Sequence, residues 1–143
     1  MRILDSSFII VGCSFMSNHA FHGGVMRIYS RSSFTVIRST FTRNFALFGG
    51  GIMRVSGESS LNITDDSFID NQASTGGVLH SSDRSSFSIT TSTFANNSAT
   101  DQGGVMRTYD ESLYKIISCI FMNNSAYIGG VMRTSGKSSF GIA

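Results

Sequence analysis

The sequence predicts an all-β protein, a single-stranded right-handed parallel β-helix with three short parallel sheets and about five layers. Three observations carry this. A Gly-Gly segment recurs as Gly23-Gly24-Val25-Met26-Arg27, Gly50-Gly51-Ile52-Met53-Arg54, Gly76-Gly77-Val78-Leu79-His80, Gly103-Gly104-Val105-Met106-Arg107 and Gly129-Gly130-Val131-Met132-Arg133, with Arg/His steps of 27, 26, 27 and 26 residues. A period of this length marks a stacked-repeat architecture. Inside each repeat, large apolar residues alternate with polar ones, as half-buried strands require. Finally, 15 Gly, abundant Ser, Thr and Asn, and no Pro disfavour long helices and suit short strands broken by turns.

The elements follow in order from each Arg/His. Seven residues on stands an aromatic residue or Leu (Phe34, Leu61, Phe87, Tyr114, Phe140). These begin a strand whose inner face holds Phe8/Ile10, Phe34/Val36, Leu61/Ile63, Phe87/Ile89 and Tyr114/Ile116. A second strand carries Phe15, Phe41, Phe68, Phe94 and Phe121. Three positions beyond each lies Asn18, Asn44, Asn71, Asn97 or Asn124, followed by Ala20, Ala46, Ala73, Ala99 or Ala126. The segment between Asn and the Gly pair is one residue longer in the second and fourth repeats, so it reads as an exposed loop. The Gly-Gly segment is the third strand. A file of stacked cations cannot be buried unpaired, so Met26, Met53, Leu79, Met106 and Met132 are expected inward, with Val25, Arg27 and their equivalents outward. Three such strands cannot pair within one repeat, so each pairs with its copy in the next. Parallel crossovers favour the right hand. A leucine-rich horseshoe needs helical periodicity that is missing here, and a propeller blade needs about 40 residues.

Stacking makes columns. The five Asn should bond through their amides as a ladder. The position four after each Arg/His reads Arg31, Glu58, Arg84, Glu111, Lys137, alternating in sign so that stacked neighbours attract. Arg38 should likewise stack beside Asp65, and Arg43 beside Asp70. These alternations fit a two-layer unit.

A formal charge of +2 gives no drive toward nucleic acid or direct membrane insertion. Cys13 and Cys119 sit four repeats apart, about 19 Å at about 4.8 Å per layer, too far for a disulfide; both read as small buried residues. Ile10-Val11-Gly12-Cys13 imitates a lipoprotein signal, but Phe8, Ile10, Phe15 and Asn18 share the columns of later repeats. Neither end carries a polar cap, so residues 1–143 are expected to form one β-helix segment of a longer repeat protein.

The pairing of Phe-x-x-Asn (Phe15 to Asn18, Phe41 to Asn44, Phe68 to Asn71, Phe94 to Asn97, Phe121 to Asn124) with Gly-Gly-apolar-apolar resembles the repeat of chlamydial polymorphic outer membrane proteins. The resemblance covers essentially the whole chain. It implies a pectin-lyase-like right-handed β-helix, displayed at the cell surface or secreted as an autotransporter passenger and acting in adhesion. The departure is Val-Met-Arg, where that family commonly has Ala-Ile and a less regular follower. Similar repeats look widespread in large surface proteins of other bacteria and of protists, so the resemblance leaves the host open.

The candidate ligand track is the outward file Arg27, Arg54, His80, Arg107, Arg133, which would suit an acidic glycan or an acidic patch on a host or cell-surface protein. Its bland reading is a solubilising face screened by salt. Val25 and Ile52 flank it and would favour a protein contact, including one with further repeats of the parent chain. A polysaccharide lyase or hydrolase is the rival reading, needing clustered carboxylates. Asp65, Asp66 and Asp70 are the one concentration, but two have cationic neighbours, and Asp66 shares a column with Cys13, Ser39, Ser92 and Cys119, where it should accept Ser hydroxyls. His19 and His22 lack a third metal ligand. No catalytic residue, metal or cofactor is assigned. Asn62-Ile-Thr64, Asn96-Asn-Ser98 and Asn123-Asn-Ser125 are glycosylation sequons.

Overall fold

The computed structural model describes residues 1–141, built from short strands and corners with no helix among them. One coil shows the plan: strands Met26–Tyr29, Ser33–Ile37, Thr40–Thr42 and Phe45–Gly49 run in succession round a closed path. Each pairs in parallel with its copy one coil on, as in Met26↔Met53, Phe34↔Leu61 and Phe41↔Phe68. About five such coils stack as a parallel β-helix. Ile142 and Ala143, expected in the same segment, lie outside the described residues.

The core follows the inward columns. Phe34, Val36, Leu61, Ile63, Phe87 and Ile89 are buried on one sheet. The Phe file of the next lies face to face, with ring centroids 4.7–5.0 Å apart and planes within 10° between Phe15, Phe41, Phe68, Phe94 and Phe121. The asparagine ladder is continuous. Asn44 donates its backbone N–H and its Nδ2 to Asn71 Oδ1 at 2.9 and 3.0 Å, and Asn71 repeats both bonds to Asn97 Oδ1 at 3.0 and 2.9 Å. The second Nδ2 proton caps a carbonyl of the preceding coil, Asn71 to Phe41 O at 2.9 Å.

Four sheets are present where three are expected. They hold six, six, five and four strands; we number them 1 to 4, beginning with those containing Met26–Tyr29, Ser33–Ile37, Thr40–Thr42 and Phe45–Gly49. Sheet 4 contains the segment read as an exposed loop: His19–His22, Phe45–Gly49, Gln72–Thr75 and Ser98–Gln102. Its inward apolar position is filled only by a small alanine in each coil, as at Ala46, Ala73 and Ala99, so alternation is invisible in the sequence. The extra residue of the longer repeats is absorbed as a bulge, the register shifting between Ala20 and His22 and between Ala73 and Thr75. Opposite the single Phe21, coil two thus carries Leu47 and Phe48, and all three side chains are exposed.

Each coil turns at four corners, and each corner uses a residue in the left-handed region. Between sheets 4 and 1 it is always glycine (Gly23, Gly50, Gly76, Gly103, Gly129), with φ from 58 to 69°. The following glycine has a different reason. A Cβ on Gly24 would overlap the carbonyl oxygen of Gly51 in the next coil, and one on Gly51 that of Gly77.

This corner also corrects the expected direction of Val25. Val25, Ile52, Val78 and Val105 are buried with the core, not outward. The N–H groups of Val25 and Met26 both donate to Ile52 O, at 3.0 and 2.9 Å, and Ile52 and Met53 share Val78 O in the same way. Two successive amides on one acceptor bend the chain, so strand alternation begins only after the valine. Cys13 is exposed rather than buried, Cys119 is half-buried, and both are free thiols.

Candidate functional site

The cationic file stands on the outer face of sheet 1. Parallel register places Arg2, Arg27, Arg54, His80, Arg107 and Arg133 side by side in successive coils. Arg2 extends the expected file by one member. No carboxylate lies within ion-pairing distance of any of them among the described residues, so the face is electropositive.

The members are not equivalent. The Arg2 and Arg27 guanidinium carbons lie 4.8 and 5.7 Å from the Tyr29 ring centroid, and that of Arg107 lies 5.1 Å from Tyr109. Cations placed over an aromatic face in this way are attracted by its quadrupole. The tyrosines went unassigned in the sequence, although Arg27-Ile28-Tyr29 and Arg107-Thr108-Tyr109 put both on the Arg face at period two. Arg107 also donates to Thr108 O at 2.8 Å and to Ser135 Oγ at 2.9 Å. Burial, then the neighbouring Arg133, lower its pKa.

Arg54 turns the other way, toward sheet 4, where its Nη1 donates to His22 Nδ1 at 2.8 Å. That bond needs a neutral imidazole, and burial followed by Arg54 and Arg27 lowers the His22 pKa. His22 also stacks on Phe48 at 5.1 Å.

His80 departs from its expected outward placement. It is 8% exposed, leans over Gly49, and meets Tyr109 edge-on with centroids 5.3 Å apart. Its Nδ1 lies 3.0 Å from Thr75 Oγ1. Burial first, then Arg54, Arg107 and His22, push its pKa down to about 3. The file therefore holds a neutral ring in the middle, splitting the charge into Arg2, Arg27 and Arg54 on one side and Arg107 and Arg133 on the other.

The carboxylates do not gather. Asp65 and Asp70 are exposed at two different corners and form no ion pair with Arg38 or Arg43; the Arg43 Nη2 instead lies 3.9 Å from Met16 Sδ. Asp66 is buried and points inward. It accepts the backbone N–H of Ser39 at 2.6 Å and of Thr64 at 3.1 Å, rather than the expected Ser hydroxyls. Burial pushes its pKa up to about 6, against the two amides, which act the other way; Asp65 adds to the rise. His19 packs against Phe45, and no three metal-ligating side chains converge among the described residues. The sequon residues Asn62, Asn96 and Asn123 are exposed.

No protein-family model matches this chain, and neither does any curated protein or solved structure.

Proposed function

We propose that the chain is a non-catalytic β-helical stalk of a surface or secreted protein, an adhesive scaffold that presents the outer face of sheet 1 to an acidic glycan or an acidic protein surface. The single observation that carries this is the unpaired cationic file on a rigid ladder. Five arginines share one face with no carboxylate partner among the described residues, a self-repelling arrangement that folding does not require. Tyr29 and Tyr109 lie beneath the guanidinium groups and hold them on this face by cation–π attraction,. Asp66, the one buried carboxylate of the acidic concentration, is occupied by backbone amides, which argues against a role as acid or base in polysaccharide cleavage.

Affinity electrophoresis through polygalacturonate and through neutral dextran tests the reading. The chain should be retarded by the acidic polymer only. Retardation should weaken with salt and fall several-fold in Arg27→Ser/Arg107→Ser. Equal mobility in both polymers would overturn it, and release of new reducing or unsaturated ends would replace it with the enzymatic reading.

A further inference from the structure

The corner between sheets 1 and 2 carries a second set of charges, which the adhesive reading does not use. Backbone register aligns Asp5, Arg31, Glu58, Arg84, Glu111 and Lys137 in successive coils. Their signs alternate without a break, minus to plus, through all six positions, and all six side chains are exposed.

Backbone geometry does not explain this choice. Asp5, Arg31, Glu58, Arg84 and Glu111 all have φ between 45 and 60°, where glycine or asparagine is favoured and long side chains are strained. The corner between sheets 4 and 1 meets the same demand with glycine in every coil. The other two corners mix types: Gly12, Arg38, Asp65, Thr91, Ser118 and Ser17, Arg43, Asp70, Asn96, Asn123. Charge in every coil is peculiar to this corner. Internal pairing uses little of it, since Glu58–Arg84 at 3.1 Å is the one ion pair among the described residues. Open grooves of about 530 and 470 Å³ lie along the ridge, lined among others by Arg31, Glu58, Arg84, Glu111 and Lys137.

We propose that this ridge is a self-association surface joining two copies of the chain side by side with antiparallel axes. An alternating series reversed about an axis midway between two of its levels meets opposite charge at every level where the copies overlap. A twofold axis between the fourth and third coils would set Asp5 against Lys137, Arg31 against Glu111 and Glu58 against Arg84, and each pair again by symmetry, as an isologous contact demands. Parallel copies in register would place like charge on like at all six levels. The adjoining column, which has no member in the first coil because Leu4 pairs with Tyr29, reads Ser30, Gly57, Asp83, Asp110, Gly136. Reversal sets Asp83 against Gly57 and Asp110 against Ser30, so no carboxylate meets another there either.

Exposed ion pairs are individually weak and screened by salt, so the dimer belongs to low ionic strength. Sedimentation velocity should find dimer at about 20 mM salt and monomer at about 500 mM, where screening is short-ranged. Asp5→Lys/Glu58→Lys/Glu111→Lys and Arg31→Glu/Arg84→Glu/Lys137→Glu should each be monomeric at low salt, and mixing them should restore the dimer. A wild type that stays monomeric at low salt, or a dimer indifferent to salt, overturns the proposal whether or not the variants fold. Orientation is read in a Cys13→Ser/Cys119→Ser background. Arg31→Cys should form a disulfide with Glu111→Cys and not with itself, and the reverse result overturns the antiparallel arrangement.

Discussion

The phenylalanine file inside and the cationic file outside are built from the same repeat, yet they behave differently. Inside, Phe41, Phe68 and Phe94 are fully buried and superpose almost by translation, with planes 6–8° apart. Outside, Arg27 lies toward Tyr29, Arg54 reaches back to His22, and Arg107 lies over Tyr109. A buried ring has one pocket, made by the copies above and below it, so identical residues find identical surroundings. A long exposed side chain instead selects among adjoining columns, and those differ from coil to coil. Repetition therefore fixes structure where the environment also repeats, and leaves room for distinct contacts where it does not.

The largest effect that can test this contrast is Phe68→Ala. It removes the middle ring of the file and leaves a cavity between two rings that cannot collapse without breaking register. A loss of about 3–5 kcal/mol is expected in urea denaturation, while Arg27→Ala should change stability by less than about 0.5 kcal/mol. Comparable losses in the two variants would erase the distinction between inner and outer files.

Asn71→Asp comes next. Asn71 Nδ2 donates to Phe41 O and to Asn97 Oδ1, while its Oδ1 accepts two bonds from Asn44. The carboxylate keeps the acceptor role and loses both donors, leaving a buried carbonyl unpaired and setting oxygen against oxygen. The expected cost is about 2–4 kcal/mol, seen as a lowered Tm. An unchanged Tm would mean that the ladder does not hold the corner.

How much of this was legible depended on whether a column repeated. The phenylalanine and asparagine columns recur at fixed spacing, and both stand where the spacing puts them. The directions of Val25 and Ile52 were not legible, because strand alternation fails at a corner where two amides share one carbonyl. The fourth sheet was hidden for a related reason, since only Ala46 or Ala73 faces inward and a bulge absorbs the extra residue. Burial of His80 depends on Gly49 and Tyr109, which stand in other coils on either side of it, so no single repeat displays it. Tyr29 and Tyr109 could have been found, because each lies two residues beyond an arginine.

The smallest expected effect, of opposite sign, comes from Asp66, where a buried column of small residues carries a carboxylate. In the column Cys13, Ser39, Asp66, Ser92, Cys119, each serine oxygen both accepts and donates. Ser39 Oγ takes the Cys13 N–H at 3.1 Å and gives its proton to Ile37 O at 3.1 Å; Ser92 Oγ takes the Asp66 N–H at 3.1 Å and donates to Thr90 O at 2.8 Å. An ionised Asp66 has no proton to give and carries its charge into the core. Because burial raises its folded pKa to about 6, above the value near 3.9 of an unfolded chain, its contribution is fully present below about pH 4. That contribution is lost as pH rises through about 6. Asp66→Ser should therefore be more stable than the wild type at pH 8, by about 1–3 kcal/mol, with the gap closing toward pH 4. His80, whose folded pKa is lowered to about 3, destabilises both proteins as pH falls below about 6.5, and so cancels in the difference. Urea titrations of the two proteins at pH 4, 6 and 8 measure the gap directly. A wild type that stays the more stable at pH 8 would mean that the Ser39 and Thr64 amides outweigh burial, and that the break in the column strengthens the corner.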